Sequence, residues 1–150
     1  MLEQRINILD QRVLSKADAI CFTSNGVIRK NGCLVMGAGV AKAFRDRFVG
    51  IDRAAGRQVQ RNGNICQVIP TLTDSIPEIV AFPTKHDWRD PSDIDLIEKS
   101  ARELMELIEK KGWARTALPR PGCNNGSLNW KEVKKVIEPI LDDRVVIVYL

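Results

Sequence analysis

Short apolar runs alternate with amphipathic helical segments along this chain, and this alternation constrains the fold more than any other feature. Strands are expected at residues 5–9, 19–23, 65–69, 79–82, 116–118 and 145–150. Helices are expected at 39–48 and 51–60, in a long segment that Ser92 caps and Gly112 ends, and after Asn129. Because strands alternate with helices, we predict an α/β protein whose helices cover a layered sheet.

The chain is expected to form one domain. Its 150 residues are 44% hydrophobic, and we find no repeat, linker or low-complexity tract. The polar segment 71–77 is expected to connect two strands. No apolar run approaches the ~20 residues of a membrane helix, and the first ten residues carry charges where a signal peptide is apolar. We therefore expect a cytoplasmic protein without a membrane partner. We also expect a monomer.

The cysteine and histidine content argues against a metal site. The four cysteines, Cys21, Cys33, Cys66 and Cys123, form no C-x-x-C pair, and His86 is the only histidine. These spacings match neither a zinc ribbon nor an H-E-x-x-H site. We expect four reduced thiols, no metal and no cofactor.

Positive charge is concentrated in one short part of the chain. Between residues 29 and 61, eight basic residues face only Asp46 and Asp52, although the whole chain carries a net charge of only +4. The eight are Arg29, Lys30, Lys42, Arg45, Arg47, Arg53, Arg57 and Arg61. Either an anionic partner approaches this side or the run is a solvated helical face.

Two loops contain glycines where a backbone can bind an anion. The first, Gly37, Ala38, Gly39, Val40 and Ala41, opens a helix, so its N–H groups and the helix N-terminus favour negative charge. The second follows a strand and comprises Gly122, Cys123, Asn124, Asn125, Gly126, Ser127 and Leu128. Two such loops in one small domain favour a diphosphate ligand, although ordinary turns have the same composition. Lys42 replaces the third glycine of the dinucleotide-binding fingerprint.

The sequence resembles the macrodomain family in both loops. The run V-M-G-A-G-V-A after Asn25 and the block P-R-P-G-C-N-N-G-S-L-N-W carry the resemblance, which extends over nearly the whole chain. It implies a three-layer α/β/α fold with a mixed central sheet, and a cleft that binds ADP-ribose. The segment F-P-T-K-H-D-W-R at residues 82–89 is similar to one in bacterial DNA ADP-ribosyl glycohydrolase antitoxins and in the animal terminal ADP-ribose glycohydrolase.

The resemblance implies roles for individual residues. Lys85 takes the position of the lysine that acts on C1″ of the distal ribose, and Asn25 that of an amide that holds this ribose. Lys85 also ends an apolar strand, where its amine can be a nucleophile, a leaving-group catalyst or merely solvated. Asp10 matches an adenine-binding aspartate or caps a turn, and Tyr149 packs in the core or contacts adenine.

Two single residues and one inserted segment stand out against the related sequences. Phe22 stands where the family usually has another asparagine, and residues 26–33, with Arg29, Lys30 and Asn31, are an insertion. Gly126 stands where the animal enzyme has an assisting aspartate, as in the DNA-directed group, which disfavours a protein-carboxylate substrate.

We expect an ADP-ribosyl glycohydrolase whose partner is an ADP-ribosylated substrate, with single-stranded DNA a candidate on charge grounds. Trp88 either stacks on a base or packs on the long helix. The alternatives are a reader that binds ADP-ribose without cleaving it, and a hydrolase of small ADP-ribose derivatives such as the 1″-phosphate.

Overall fold

The computed structural model describes residues 1–71 and 77–150, so most of the predicted 71–77 connection lies outside the described residues. The strands are β1 (Leu2–Arg5), β2 (Ala19–Ser24), β3 (Gln67–Ile69), β4 (Glu78–Pro83), β5 (Thr116–Pro119) and β6 (Val145–Tyr149). The helices are α1 (Gln11–Leu14), α2 (Gly39–Arg47), α3 (Ile51–Asn62), α4 (Ile94–Lys111) and α5 (Trp130–Ile137).

The six strands form one mixed sheet in the order β1-β6-β5-β2-β4-β3. Every neighbouring pair is parallel except β3 with β4, which is antiparallel. Strand β6 is internal and its first four residues are buried, as its apolar sequence predicted. The predicted mixed sheet is therefore confirmed.

Two hydrophobic clusters cover the two faces of the sheet and make the fold a three-layer α/β/α arrangement, as expected. On one face, α2 and α3 bury residues such as Phe44 and Ala55 against Ile20 and Phe22 of β2. On the other face, α4 and α5 pack against Cys21 and its neighbours. Alternate residues of β2 thus face opposite helical layers, as the two-residue period of a strand requires.

Helix α4 buries Ile97, Ala101, Leu104 and Ile108, which recur at intervals of three or four residues and so lie on one face. Its sequence also places the end correctly, because Gly112 adopts the left-handed conformation (φ +70°) that closes the helix. The described residues include no helix with the length and apolar character needed to cross a membrane.

Three predicted boundaries were wrong. Strand β1 ends at Arg5 instead of residue 9, because Ile6 N–H donates to Tyr149, the last residue of β6, and no strand continues beyond it. Strand β3 begins at Gln67, since the Cys66 N–H donates to Glu103 instead of to a strand. Asp93, not Ser92, caps α4 by accepting from Asp95 N–H at 2.9 Å.

The inserted segment forms a short hairpin, residues 26–34, that packs on α3. Ile28 and Leu34 form an antiparallel bridge, and Leu34 N–H donates to the Asp52 carbonyl at 2.9 Å. The hairpin backbone at Gly32 lies directly against Gly56 of α3, where a Cβ atom would overlap the Gly32 carbonyl oxygen. Glycine at position 56 therefore fixes the distance between the hairpin and the helix.

Replacing Gly56 with alanine is predicted to destabilise the protein. Alanine ordinarily favours a helix by about 1 kcal/mol over glycine. Here the overlap of the alanine Cβ with the Gly32 carbonyl should outweigh this gain. The substitution should lower the free energy of unfolding by about 1–3 kcal/mol. Urea unfolding monitored by circular dichroism measures the difference. The exposed Gln60→Ala change in the same helix should stay within about 0.5 kcal/mol. A Gly56→Ala protein as stable as the parent would contradict the contact.

Candidate active site

A cleft of about 1010 Å³ opens at the carboxyl ends of the parallel strands. Its walls come from the segments that follow β1, β2, β4 and β5, together with the end of β6 and the start of α2. In parallel sheets the loops at this edge converge, and ligands bind there. The topology therefore brings both predicted loops, Asn25 and Lys85 to one site.

The electrostatic character of the cleft favours an anion. Three cationic side chains line it, Arg29, Lys85 and Arg120. Within residues 1–71 and 77–150, no aspartate or glutamate side chain contributes to the lining. A concave surface lined by these cations concentrates a field that attracts negatively charged ligands.

The first glycine loop lines the cleft along its full predicted length, residues 37–41. Helix α2 starts at Gly39, and its N-cap residue, Ala38, has no side chain that can accept from the first turn. The first helical hydrogen bond runs from Lys42 N–H to the Ala38 carbonyl, so the described chain supplies no acceptor for the amides before it. Unpaired amides at a helix N-terminus form a site for a phosphate or carboxylate group.

The second loop supplies five of its seven predicted residues to the cleft, Gly122 to Gly126. Ser127 and Leu128 are outside the lining, because Leu128 N–H donates to the Gly122 carbonyl at 2.9 Å and the leucine packs towards the core. The left-handed φ angles that close this turn belong to Gly122 (+72°) and Ser127 (+65°).

The two loops touch each other across the cleft. The Asn125 amide nitrogen approaches Gly39 so closely that a Cβ atom at Gly39 would lie 2.7 Å from it. Gly39 also has φ +59°, which a residue with a side chain rarely adopts. Gly39 is therefore required both by its backbone angle and by its neighbour, and the loops enclose a common space.

Ser92 occupies the space beside Gly126. Its N–H donates to the Gly126 carbonyl at 3.0 Å, and a Cβ atom at Gly126 would overlap its hydroxyl oxygen. A carboxylate side chain at position 126 would therefore displace Ser92. The hydroxyls of Ser92 and Ser24, both in the cleft wall, are buried without a partner among the described residues. Sequence reasoning assigned neither hydroxyl to the site.

Lys85 lies immediately beyond β4, with its amine at the edge of the second loop. Its Nζ donates to the Asn125 carbonyl at 3.2 Å and to the Trp88 carbonyl at 3.4 Å. An ammonium group has three N–H donors, so one remains for a ligand. The Asn64 side chain donates to the Lys85 carbonyl at 3.0 Å and fixes the backbone. The amine is therefore held between the second loop and the following turn.

The turn after Lys85 presents Trp88 at the rim of the cleft. Asp87 accepts from the backbone N–H and guanidinium of Arg89, and this pairing lowers the Asp87 pKa to about 2. His86 lies 2.9 Å from the Asp93 carboxylate at the start of α4. Trp88 remains 50% exposed, and the Arg89 guanidinium lies 5.6 Å from its ring centre. Trp88 therefore lines the cleft instead of packing wholly on α4.

Arg120 and two aromatic residues form the opposite end of the cleft. Its guanidinium carbon lies 3.8 Å from the centre of the Tyr149 ring and 5.1 Å from that of Trp130. Glu3 accepts from Trp130 Nε1 at 3.2 Å and lies 3.9 Å from Arg120. Tyr149 is half-buried and lines the cleft. Sequence reasoning missed Arg120 and Trp130, although both belong to the P-R-P-G-C-N-N-G-S-L-N-W block.

Cys123 lies in the second loop but is poorly suited to nucleophilic chemistry. Partial burial raises its pKa to about 11, so the thiol is protonated near neutral pH. All four cysteines are unpaired. In the described ranges, no three His, Cys, Asp or Glu side chains are grouped so as to hold a metal ion.

Comparison with known proteins decides the family. Residues 30–137 match the model of the macro domain. The chain belongs to the macro domain family. It is 32% identical over 123 residues, 79% of its length, to a DNA ADP-ribosyl glycohydrolase of Mycobacterium tuberculosis. It is 34% identical over 112 residues, 72% of its length, to a protein of the same name from Thermus aquaticus.

Solved macro domains share the fold along the whole chain. The macrodomain of Mycobacterium tuberculosis DarG superposes with a TM-score of 0.80 at 27% identity, covering 99% of this chain and 97% of that one. The macrodomain of Thermus aquaticus DarG gives 0.79 at 31% identity with the same coverage. The matched parts cover only 35% and 31% of the two curated relatives. The chain thus spans about a third of their length.

Two expected ligand contacts of a macro domain are altered here. Phe22 is completely buried against Phe44, with ring centres 5.5 Å apart, and cannot reach the cleft. Asp10 caps α1 by accepting from Arg12 N–H at 2.8 Å, and its carboxylate is paired with the Arg12 guanidinium, which lowers its pKa to about 2. Asp10 is outside the cleft lining. These contacts of Asp10 fit its alternative predicted role, the capping of a turn.

Asn25 is in the cleft wall, but its side chain mainly organises the backbone. Its amide nitrogen donates to the Val35 carbonyl at 2.9 Å, and its carbonyl accepts from Val27 N–H at 2.9 Å. These contacts fix the base of the 26–34 hairpin next to the first glycine loop. One amide hydrogen remains for a ligand.

Replacing Asn25 with aspartate is predicted to destabilise the protein at neutral pH. The carboxylate can still accept from Val27 but faces the Val35 carbonyl without a donor, which should cost about 1–3 kcal/mol. The cost should shrink as the pH falls, since a protonated carboxyl can donate. Urea unfolding over a pH series measures this.

Asn129→Asp is the matched control, because Asn129 caps α5 and aspartate caps a helix equally well. An equal loss for the two variants, or none for Asn25→Asp, would contradict the bonding at Asn25.

Proposed function

We propose that this macro domain is an ADP-ribosyl glycohydrolase that removes ADP-ribose from nucleic acid, with Lys85 as the central catalytic residue. The observation that carries the proposal is the position of the Lys85 amine, 3.2 Å from the Asn125 carbonyl at the edge of the second loop. A reactive amine beside two anion-binding loops suits a substrate in which a diphosphate lies next to the bond to be cleaved.

Binding uses the amides of the two loops. Residues 37–41 and 122–126 hold the diphosphate between them, with N–H groups and the positive end of α2 opposing its charge. The distal ribose then lies towards Asn25 and Lys85. Adenine lies towards Arg120 and Tyr149, where it can stack, whereas the Asp10 carboxylate is paired with Arg12. One chain supplies every part, so the proposal requires only a monomer.

Cleavage breaks the bond between C1″ of the distal ribose and the modified group. In one route the Lys85 amine bonds to C1″, the ribose opens to a Schiff base, and the released group takes a proton. Water then adds to C1″ and returns the amine and free ADP-ribose. In the other route Lys85 polarises the leaving group while water attacks directly. Both have the same balance, in which one water is consumed and ADP-ribose is released.

Nucleic acid is the proposed substrate for two reasons. The curated relatives that match most of this chain are named DNA ADP-ribosyl glycohydrolases. Gly126, with Ser92 against it, also leaves no space for the loop carboxylate expected of an enzyme that acts on protein carboxylates.

The test compares wild-type protein with Lys85→Ala and Lys85→Arg on ADP-ribosylated single-stranded DNA. We expect wild type to release ADP-ribose and both variants to lose at least about a hundred-fold in rate, the scale of removing a positioned catalytic group. Their affinity for free ADP-ribose, measured by calorimetry, should change little. Lys110→Ala, an exposed lysine at the far end of α4, is the matched control and should keep full activity.

The other outcomes assign the site differently. Binding of ADP-ribose without cleavage of DNA or protein conjugates by wild type indicates a reader. Turnover that survives Lys85→Ala, including that of ADP-ribose 1″-phosphate, indicates a hydrolase that uses water alone. Either result contradicts the role proposed for Lys85.

A further inference from the structure

The positive segment between residues 29 and 61 divides into paired and unpaired cations. Lys42 and Arg45 both pair with Asp46, at 2.7 and 3.7 Å, and Arg47 stacks on Phe48. Like Arg47, the remaining five have no carboxylate partner in the described chain. They are Arg29 and Lys30 of the 26–34 hairpin, and Arg53, Arg57 and Arg61 of α3. Local ion pairing therefore engages only two of the eight cations.

The three α3 arginines form a stripe on the solvent side of the helix. They are four residues apart and exposed, whereas Ala55, Gly56 and Val59 between them are buried. Residues four apart lie on one face of a helix, so the stripe is ~12 Å long. Like charges at this spacing destabilise a helix slightly. Such an arrangement therefore suits a surface that an anion covers.

The stripe leads to the rim of the cleft. Asn64, two residues beyond α3, donates to the Lys85 carbonyl at 3.0 Å, and Gly26 N–H donates to the His86 carbonyl at 3.1 Å. The end of α3, the hairpin and the Lys85 turn are thus in direct contact. Arg29 and Trp88 line the same cleft. Unpaired positive charge and an exposed aromatic ring therefore adjoin the proposed catalytic amine.

Trp88 is held in place with one side open. Its carbonyl accepts from Lys85 Nζ at 3.4 Å, so its backbone lies beside the reacting group. Asp87 holds the Arg89 guanidinium at 2.7 Å, and this guanidinium lies over the Trp88 ring. An indole ring with 50% exposure is a platform on which a flat group can stack.

We propose that Trp88, the 26–34 hairpin and the arginine stripe of α3 form a track for single-stranded DNA. The inference rests on the proposed function, because it concerns the strand that carries the ADP-ribose. An unpaired base next to the modified nucleotide stacks on Trp88, and the following phosphates lie along Arg29, Lys30 and the stripe. A duplex fits less well, since its bases are already stacked on each other.

The test uses an unmodified single-stranded DNA oligonucleotide of about ten nucleotides, within the usual site size for such proteins. Fluorescence anisotropy measures its affinity over a salt series. Trp88→Ala should weaken binding roughly 5- to 100-fold, the loss of one stacked base, and Trp88→Phe should restore most of it. Wild type should bind the duplex of the same sequence more weakly than the single strand. The Trp88→Ala variant should lose this preference for the single strand.

The arginine stripe is tested by Arg53→Gln/Arg57→Gln/Arg61→Gln. Its matched control, Lys110→Gln/Lys131→Gln/Lys135→Gln, removes the same charge from exposed positions on the opposite helical layer. Glutamine preserves helix propensity in both. We expect the stripe variant to lose about ten-fold or more in affinity, and to lower the slope of log affinity against log salt by about 2, while the control changes little.

Free ADP-ribose is titrated into wild type and the two triple variants and should bind these three proteins equally, because none of the six substituted residues lines the cleft. Equal loss of DNA binding in the two triple variants would overturn the track, and so would competition by an acidic peptide as effective as competition by DNA. These assays need no turnover. If the protein binds single-stranded DNA selectively but does not cleave the conjugate, only the proposed function is contradicted. If it cleaves the conjugate but does not bind single-stranded DNA selectively, only the track is contradicted.

Discussion

Parallel pairing of β2 with β4 and β5, and of β5 with β6, is the constraint on which the rest of the molecule depends. It places the segments after these strands at one edge of the sheet, where Asn25, Lys85, Arg120 and Tyr149 meet although they are far apart in sequence. Helix α2 begins at the same edge, and the first backbone amides of a helix have no acceptor within it. These amides can therefore bind an anion.

The Lys85 amine links the parts of the site that are proposed to recognise different pieces of a substrate. It donates to Asn125, whose side chain reaches Gly39 of the first loop, and to Trp88 at the rim. A diphosphate that moves either loop therefore acts on the same contact network as the amine. At the far end, Arg120 between Tyr149 and Trp130 provides a flat cationic surface. The proposed phosphate, sugar and base subsites thus belong to one connected framework.

Sequence periodicity predicted the elements whose burial is regular, such as α4 and β6, because a repeated apolar pattern reflects a repeated packing surface. It mispredicted the end of β1, because that end depends on where β6 stops. It also mispredicted the cap of α4, because the Ser92 N–H donates to the Gly126 carbonyl and Asp93 caps the helix instead. The motifs located Lys85 and both loops. They could not show that the Asn25 side chain is hydrogen-bonded to Val27 and Val35, or that Asp10 pairs with Arg12, because such contacts exist only after folding.

The most direct test of the account is a crystal structure of the protein with ADP-ribose. The account predicts the diphosphate between residues 37–41 and 122–126, adenine against Arg120, and C1″ of the distal ribose within about 3.5 Å of Lys85 Nζ, as a reacting pair requires. A ligand bound in the reverse direction, with its distal ribose towards Arg120, would contradict it. So would a diphosphate that lies outside the two loops.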